Sequence, residues 1–201
     1  MFDRSGLPKA VTVYEVWPRD GLQNESIVLP TALKAQLIRH LVEAGIPAIE
    51  VASFVRPDLV PALADAEELL VELAPLLATH RMGALVPNQK GLDRALKAVV
   101  REIAVFASAT ESFAKANLNN SVAGSLEIFS PVIKQAREAG LRVRGYISMC
   151  FGDPWEGKVK TEQVVDVAER LFADGITELS LGDTIGIATP GDVIDLLNAF
   201  E

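Results

Sequence analysis

The polar segment after the first strand-like run carries residue types suited to binding a cation and an anionic oxygen. Val11 to Val16 (VTVYEV) predicts a first β-strand, and residues 17–25 (WPRDGLQNE) follow it with turn-forming Pro and Gly. The Asp20 carboxylate could bind a hard cation, and the Arg19 guanidinium could bind an anionic oxygen. A capped turn closed by an Arg–Asp ion pair is the alternative interpretation, and the residues alone leave both open.

A second acidic residue, Glu50, lies inside an apolar run that predicts strand two, residues 48–51 (AIEV). A carboxylate that points into a core is costly unless it is paired, and Arg19 on the neighbouring strand end is the natural partner. Glu50 could therefore belong to a functional network, form a purely structural buried ion pair, or face outward toward a helix.

The sixth strand-like run ends in a Gly-Asp-Thr-x-Gly turn, within residues 180–186 (SLGDTIG). Such a turn at a strand end is a suitable place for a positioned acid, Asp183, and a hydroxyl, Thr184. Asp183 could equally cap a short turn or a helix.

Other candidate residues are weaker. Residues 108–121 predict a long polar loop after strand four. Long polar loops of barrels often bind substrate, and an ordinary solvated loop is the alternative interpretation. His40 and His80 follow no strand, so we expect structural roles for both. Cys150 follows strand five, where we expect a packed, unreactive thiol.

Short β-branched runs alternate with longer amphipathic runs along the chain, which predicts six strand-then-helix units and a parallel sheet. The predicted strands are residues 11–16, 48–51, 82–86, 103–107, 141–147 and 176–181. The predicted helices are residues 31–44, 62–77, 91–100, 125–139, 161–173 and 189–200. Gly45, Gly140 and Gly175 are expected to end three of these helices in the left-handed conformation. The pattern fits either a doubly wound sheet or part of a (β/α)8 barrel, in a single domain of residues 1–201.

The composition excludes several functional classes. The chain has 201 residues, 49% hydrophobic, with a formal net charge of -8 and one cysteine. We therefore expect a globular, cytoplasmic protein that binds no nucleic acid and forms no disulfide. Residues 1–9 do not resemble a secretory signal, and no apolar stretch of about 18 residues predicts a membrane span. A dinucleotide fingerprint and a Walker A motif are both absent from the sequence.

Taken together, the motifs resemble those of 3-hydroxy-3-methylglutaryl-CoA (HMG-CoA) lyases, in family order and over nearly the whole chain. The matching segments are residues 19–25 (RDGLQNE), 49–50 (IE) with 53–55 (SFV), 115–119 (KANLN), 143–146 (VRGY) and 180–186 (SLGDTIG). The resemblance implies a TIM (β/α)8 barrel, of which this chain holds the first six βα units. It also implies metal-assisted retro-Claisen cleavage of an acyl-CoA, HMG-CoA, to acetyl-CoA and acetoacetate, with Mg²⁺ or Mn²⁺ as cofactor.

By the same resemblance, each site residue acquires an expected role. Asp20 is a metal ligand, Arg19 stabilises the enolate, Glu50 orients Arg19, and Asp183 transfers a proton or holds the site. Six further residues match family positions that lie near the acyl group or the metal, namely Gln23, Ser53, Asn117, Tyr146, Ser180 and Thr184. Lys90 and Lys115 are candidates for contacts with the CoA phosphates, and a homodimer is a further possibility that the family suggests.

The chain departs from the family pattern in ways that bear on activity. The family's other metal ligands and its reactive cysteine belong to strands seven and eight, and the chain ends at Glu201, after strand six. We therefore expect an incomplete enzyme. Trp17 replaces a usually small residue, and residues 150–157 (CFGDPWEG) replace the usual Gly-Cys-Pro-Tyr pattern, which leaves a related 3-hydroxy-3-alkylglutaryl-CoA as an alternative substrate. A condensing enzyme that makes a 2-alkylmalate and a non-catalytic fragment with exposed sheet edges are the other hypotheses.

Overall fold

The computed structural model describes residues 8–98 and 100–200. Its strands are β1 (Tyr14–Glu15), β2 (Ala48–Ser53), β3 (Arg81–Leu85), β4 (Glu102–Ser108), β5 (Arg142–Ser148), β6 (Gly152–Asp153), β7 (Gly157–Lys158) and β8 (Glu178–Leu181). Its α-helices are α1 (Trp17–Gln23), α2 (Thr31–Glu43), α3 (Ala66–Glu72), α4 (Ala74–Leu77), α5 (Gln89–Lys97), α6 (Glu111–Leu118), α7 (Val122–Glu138), α8 (Thr161–Asp174) and α9 (Pro190–Asn198). A 3-10 turn covers Pro61–Leu63. Residues 1–7, from the N-terminal segment 1–9 that does not resemble a secretory signal, and Val99, from the predicted helix 91–100, lie outside the described residues.

The chain divides into two compact units, the first ending at Gly83 and the second beginning at Ala84. In the first unit, β1 pairs in parallel with β2 in the register Tyr14↔Ala48 and Glu15↔Ile49. All six residues of β2 are buried, so this strand forms the centre of the unit.

A buried lysine fastens α2 to the segment before α3 in the first unit. Lys34 is 3% exposed, and its ammonium donates to the Asp65 carboxylate and to the Ala62 carbonyl, each at 2.6 Å. Thr31, the first residue of α2, donates to the same carboxylate at 2.7 Å. Because the buried Lys34 ammonium donates to both a carboxylate and a carbonyl, these contacts offset the free-energy cost of removing its charge from water.

The second unit is built on a parallel sheet. The end of β3 pairs with β4 (Ala84↔Ile103), β4 pairs with β5 along its whole length, and β5 pairs with β8 from Arg144↔Glu178 to Ile147↔Leu181. The helix α7 packs on β4 and β5 through a buried apolar face. That face consists of Leu126, Phe129, Val132, Ile133 and Ala136.

All six predicted strands are present, and the three predicted glycines end their helices with positive φ. The values are +86° at Gly45, +80° at Gly140 and +110° at Gly175. An L side chain rarely adopts this conformation, so glycine is the residue that lets the chain turn from helix toward the next strand. The first strand is much shorter than predicted, because only Tyr14–Glu15 pairs with β2.

Two segments predicted as loops are helical. Residues 17–23 form α1, which begins directly after β1 with Pro18 in its first turn and Asp20 favourably placed there. Residues 111–118 form α6, which ends at Asn119 in the left-handed conformation with φ +51°. In both cases the polar composition predicts a loop, although a helix that exposes most of its surface is polar as well.

Two other elements differ from the prediction. The helix predicted over residues 62–77 is interrupted near Leu73, where α4 begins with Pro75 in its first turn. The antiparallel hairpin β6–β7 after β5 was not predicted, because its two-residue strands are too short to produce a periodic pattern.

Candidate active site

A fixed guanidinium lies at the end of β1 in the first unit. Arg19 donates from Nε to Glu50 Oε1 at 2.6 Å and from Nη1 to Asp20 Oδ1 at 2.6 Å. The Arg19 side chain is 11% exposed and that of Glu50 is fully buried, whereas Asp20 is 57% exposed. The ion pair predicted between Arg19 and Glu50 is therefore present, and Asp20 forms the outer, solvent-facing end of the same chain of charges.

The local fold explains this arrangement. The backbone N–H groups of Arg19 and Asp20 donate to the Val16 carbonyl at 3.0 and 2.8 Å, so the helix starts at once after the strand. This start turns Arg19 back toward β2, where Glu50 occupies the middle of a fully buried strand. A carboxylate at that position needs a cation, and the first turn of α1 supplies it.

Ser53, at the end of β2, carries a buried hydroxyl. Its side chain is fully buried, and its Oγ has no hydrogen-bond partner among the described residues. An unsatisfied buried hydroxyl costs about 1–3 kcal/mol, so a partner supplied by a ligand would recover that free energy. Gln23, at the end of α1, is exposed.

In the second unit, Asp183 organises the loop that follows β8. Its Oδ1 accepts from the Ile187 N–H and its Oδ2 from the Ala188 N–H, both at 3.0 Å. The Gly186 N–H donates to the Asp183 carbonyl at 3.1 Å. Asp183 thus caps its own turn, as one interpretation of the sequence predicted. Each of its two carboxylate oxygens keeps a lone pair for a further hydrogen bond.

Thr184 stabilises an unusual backbone conformation at the end of β5. Its Oγ1 accepts from the Met149 N–H at 2.8 Å, and Met149 has φ +61°, which non-glycine residues rarely adopt. The Gly182 N–H donates to the Ile147 carbonyl, and the Gly182 carbonyl accepts from the Cys150 N–H. The ends of β5 and β8 are therefore joined through these loop residues.

Two further predicted residues face each other on β5 and β8. Tyr146 is in register with Ser180, two pairs along from Arg144↔Glu178 and therefore on the same face of the sheet. The Arg144 guanidinium pairs with the Glu178 carboxylate and lies 5.2 Å from the centre of the Tyr146 ring. Tyr146 and Ser180 are both half-buried, so each can be reached by a small ligand.

Cys150 is a packed thiol, as predicted. It is 2% exposed, and its Sγ donates to the Ile147 carbonyl at 3.1 Å. Burial raises the pKa of the Cys150 thiol to about 12, and the nearby charge of Asp183 adds to this effect. The thiolate is therefore disfavoured at neutral pH.

A buried carboxylate in the hairpin, Asp153, was not among the predicted site residues. Asp153 is 3% exposed and accepts from Thr110 Oγ1 at 2.6 Å and from the Trp155 and Glu156 N–H groups at 2.7 and 2.9 Å. Burial would raise the pKa of Asp153, but these hydrogen bonds outweigh it and hold the pKa below its usual value. The signal that could have identified Asp153 is its place in the Gly-Asp-Pro-Trp segment, which departs from the family pattern. Asn117 and Lys115 lie exposed on the adjacent α6.

A metal ion is expected at Asp20. In the ranges 8–98 and 100–200, no group of three or more His, Cys, Asp and Glu side chains could hold a metal ion. Asp20 offers one exposed carboxylate, which suits a hard cation but does not form a complete site by itself.

Comparison with known proteins identifies the family. A family model described as HMGL-like matches residues 10–201. This chain belongs to the HMGL-like family. The hydroxymethylglutaryl-CoA lyase of Bos taurus mitochondria is 45% identical over 192 residues, which cover 96% of this chain and 59% of that protein.

Solved structures of family members share the fold. The HMG-CoA lyase from Pseudomonas aeruginosa matches with a TM-score of 0.87 and 45% identity, over 96% of this chain and 64% of that one. An HMG-CoA lyase from Acinetobacter baumannii, solved with coenzyme A and 3-methylmalate, matches with a TM-score of 0.84 and 33% identity over 94% of this chain. The predicted fold class, part of a TIM barrel with six βα units, is thereby confirmed. The chain spans 59% of the length of the bovine relative.

Helices in the described part of the chain are all too short or too polar to meet the requirement for crossing a membrane.

Proposed function

We propose that this chain contributes to a carbon–carbon lyase that cleaves HMG-CoA to acetyl-CoA and acetoacetate. The observation that carries the proposal is the Arg19 guanidinium, held between the buried carboxylate of Glu50 and the exposed carboxylate of Asp20. Family membership and the 45% identity to HMG-CoA lyases support the same reaction class.

The reaction breaks the bond between C2 and C3 of the acyl chain. A base removes the proton of the C3 hydroxyl, the hydroxyl carbon becomes the ketone of acetoacetate, and the electron pair of the broken bond forms the enolate of acetyl-CoA. Protonation of that enolate at carbon releases acetyl-CoA. Negative charge therefore develops on the thioester oxygen, where a fixed cation lowers the barrier.

Arg19 is suited to this task because its position is determined by the protein. Its side chain is mostly shielded from water, and its contact with Glu50 is a short, charge-assisted hydrogen bond. A lysine could not contact both carboxylates through separate N–H groups of a rigid plane. We assign Arg19 to enolate stabilisation and Glu50 to holding the guanidinium.

Asp20 would be one oxygen ligand of a Mg²⁺ or Mn²⁺ ion. Such an ion supplies, when bound, a Lewis acid for the substrate's hydroxyl and carbonyl oxygens. Asp20 suits this role because it is the exposed end of the ion-pair chain, and its contact with Arg19 limits the orientation of the carboxylate.

The remaining residues are assigned to substrate and proton handling. Ser53 would donate or accept a hydrogen bond that its buried hydroxyl otherwise lacks among the described residues, and Gln23 would contact the acyl group from the end of α1. In the second unit, Asp183 would transfer a proton, with its loop held by Ile187 and Ala188. Further contacts with the acyl-CoA are assigned to Asn117, Tyr146, Ser180 and Thr184.

A related 3-hydroxy-3-alkylglutaryl-CoA is a second candidate substrate, favoured by Trp17. The indole is 44% exposed and lies against Gly21, in the same short helix, α1, as Arg19 and Asp20. A bulky side chain on this helix would change the shape of the space available to an alkyl group.

The proposal also includes a cytoplasmic location, a homodimer, and no binding of nucleic acid or membrane. Relatives carry both mitochondrial and cytoplasmic names, and the cytoplasmic ones support this location. Size-exclusion chromatography with light scattering tests the dimer directly.

The first experiment measures acetyl-CoA release from HMG-CoA with Mg²⁺ or Mn²⁺, using this chain and the chain continued in its reading frame. We expect Arg19→Lys to lower kcat by about 10²–10³, the loss typical of one oxyanion donor. Asp20→Asn should raise the metal concentration needed for half-maximal rate. The matched controls are Arg39→Gln and Glu72→Gln, which remove the partners of an exposed ion pair between α2 and α3, and they should leave the rate unchanged.

The alternatives give different results in the same assay. Cleavage of a longer 3-alkyl homologue, but not of HMG-CoA, would move the assignment to the related substrate. Acetyl-CoA consumption with a 2-oxo acid, and no cleavage of either thioester by a folded protein, would replace the lyase with a condensing enzyme.

A further inference from the structure

The hairpin β6–β7 is attached to the start of α6 by two carboxylates of the second unit. Asp153 Oδ2 accepts from Thr110 Oγ1 at 2.6 Å. Glu156 Oε1 accepts from the Ser112 N–H, also at 2.6 Å. The hairpin residues lie 43 and 44 positions along the chain from their partners, so both contacts are tertiary.

The Asp153 contact is buried and charged. Asp153 is 3% exposed and Thr110 is 1% exposed, and the Ser108 hydroxyl lies 3.2 Å from that of Thr110. The other oxygen of Asp153 accepts from two backbone N–H groups of its own hairpin turn. A buried carboxylate that loses a donor bears a desolvation penalty, so this contact is sensitive to small changes.

Glu156 caps the start of α6 in place of the N-cap residue Thr110. Thr110 occupies the N-cap position, where a threonine hydroxyl normally accepts from the helix, but here that hydroxyl donates to Asp153 and makes no capping bond. Glu156 supplies the missing acceptor at Ser112 in the first turn, where the helix dipole also favours a negative charge.

The other side of the hairpin contacts the loop after β8. A Cβ built on Gly152 would lie 2.3 Å from Ile187 Cδ1, so the hairpin backbone packs directly against that side chain. Ile187 is also the residue whose N–H donates to Asp183. The hairpin thus lies between α6, which carries Asn117, and the loop that Asp183 organises.

We propose that Asp153 and Glu156 are positioning residues that fix α6 so that Asn117 and Lys115 are held ready for the acyl-CoA. The proposal rests on the proposed function for its ligand. Its structural part is that the hairpin contacts stabilise α6, and this part does not depend on which reaction the protein catalyses.

Amide hydrogen exchange of residues 111–118, measured by mass spectrometry, tests the structural part. Thr110→Val keeps the shape of the side chain and removes the donor to Asp153, and Glu156→Ala removes the cap. Each should speed exchange in α6 by about fivefold, the equivalent of one lost cap. Thr110→Ser, which keeps the hydroxyl, should restore exchange close to that of the parent chain.

Asp192→Asn is the matched control. Asp192 accepts from Thr189 Oγ1 at 2.6 Å, the same kind and length of contact, but at the start of α9. This change should speed exchange in residues 190–198 and leave α6 unaffected. Unchanged α6 exchange in both Thr110→Val and Glu156→Ala would overturn the attachment.

The ligand part is tested with HMG-CoA in kinetics and with free CoA in calorimetric titration. We expect both variants to raise KM for HMG-CoA and Kd for CoA by about three- to tenfold with kcat nearly unchanged, because a positioning contact acts equally on ground and transition states. Faster α6 exchange without any change in KM or Kd would overturn the positioning role. If the parent protein releases no acetyl-CoA, the proposed reaction fails, while exchange and CoA titration still decide this inference.

Discussion

At the scale of single residues, the first unit shows how one buried charge determines its surroundings. Glu50 is fully buried in a strand of apolar neighbours, and Arg19 is the cation that makes this position tolerable. The sequence predicted the pair because an acid in a buried strand needs a partner, and the nearest cation follows the adjacent strand. It could not predict that Asp20 would extend the pair outward, since that depends on the helical start of α1.

Cys150 gives a prediction at this scale. Its pKa of about 12 means that almost no thiolate exists at pH 8, and its burial blocks access by a reagent. We expect labelling by a thiol-specific disulfide reagent to be at least about 100-fold slower in the folded chain than in urea. Fast labelling of the folded chain would contradict the buried position, and Cys150→Ala provides the blank.

At the scale of elements, α1 shows how a glycine makes room for a large side chain on a short helix. A Cβ on Gly21 would lie 2.3 Å from Cδ1 and 2.6 Å from Nε1 of Trp17, one helical turn earlier. Glycine at this position therefore lets the indole lie over the helix, at a cost in helix propensity of about 1 kcal/mol relative to alanine.

A double-mutant cycle tests this compensation. Gly21→Ala alone should change the free energy of unfolding by less than about 1 kcal/mol, because the gain in helix propensity is offset by displacement of the indole. In a Trp17→Ala background, the same change should stabilise the protein by about 0.5–1 kcal/mol. Equal effects in the two backgrounds, measured by urea unfolding, would show that the two residues do not interact.

The elements that sequence reasoning missed share a physical cause. The segments 17–23 and 111–118 are polar and short, so they lack the apolar periodicity that identifies a packed helix. They are stabilised instead by tertiary contacts, such as Glu156 at the start of α6. Those contacts join residues far apart in the chain and leave no local pattern.

At the scale of the whole molecule, charge determines the response to pH. The formal net charge is -8 at pH 7, so the folded chain repels itself at neutral pH and this repulsion weakens as carboxylates protonate. Weaker repulsion at lower pH would stabilise the folded chain. Protonation of Asp153 and Asp192 has the opposite effect, because hydrogen bonds hold the pKa of each carboxylate below its usual value in the folded state.

The sign of the acid effect follows from those lowered pKa values. A carboxylate with a lower pKa in the folded state binds fewer protons there, so its contribution to stability is complete above the unfolded pKa of about 3.9 and is lost as the pH falls through the folded value. The urea midpoint of the parent chain should therefore exceed that of Asp153→Asn by a constant amount from pH 5 to 8. The difference should shrink below about pH 4, and a difference that persists unchanged at pH 2.5 would contradict the assigned role.

The sequence by itself determined the succession of six βα units and the helix-ending glycines, and it predicted Arg19 as the partner of Glu50 provided that Glu50 faces inward. Each of these follows from local rules, namely apolar periodicity, the left-handed conformation of glycine and the cost of burying an unpaired charge. The tertiary structure alone decided the contacts of Thr184 and Asp153. Their partners are the Met149 N–H and the Thr110 hydroxyl, 35 and 43 positions away in the chain, which become neighbours only when the strands and loops of the second unit have packed. Asp183 differs, because it caps N–H groups four and five residues further along its own loop, as one interpretation of the sequence predicted. A polar side chain in a loop carries no mark of the donor it will meet, because that donor is set by the fold and not by its neighbours in the chain.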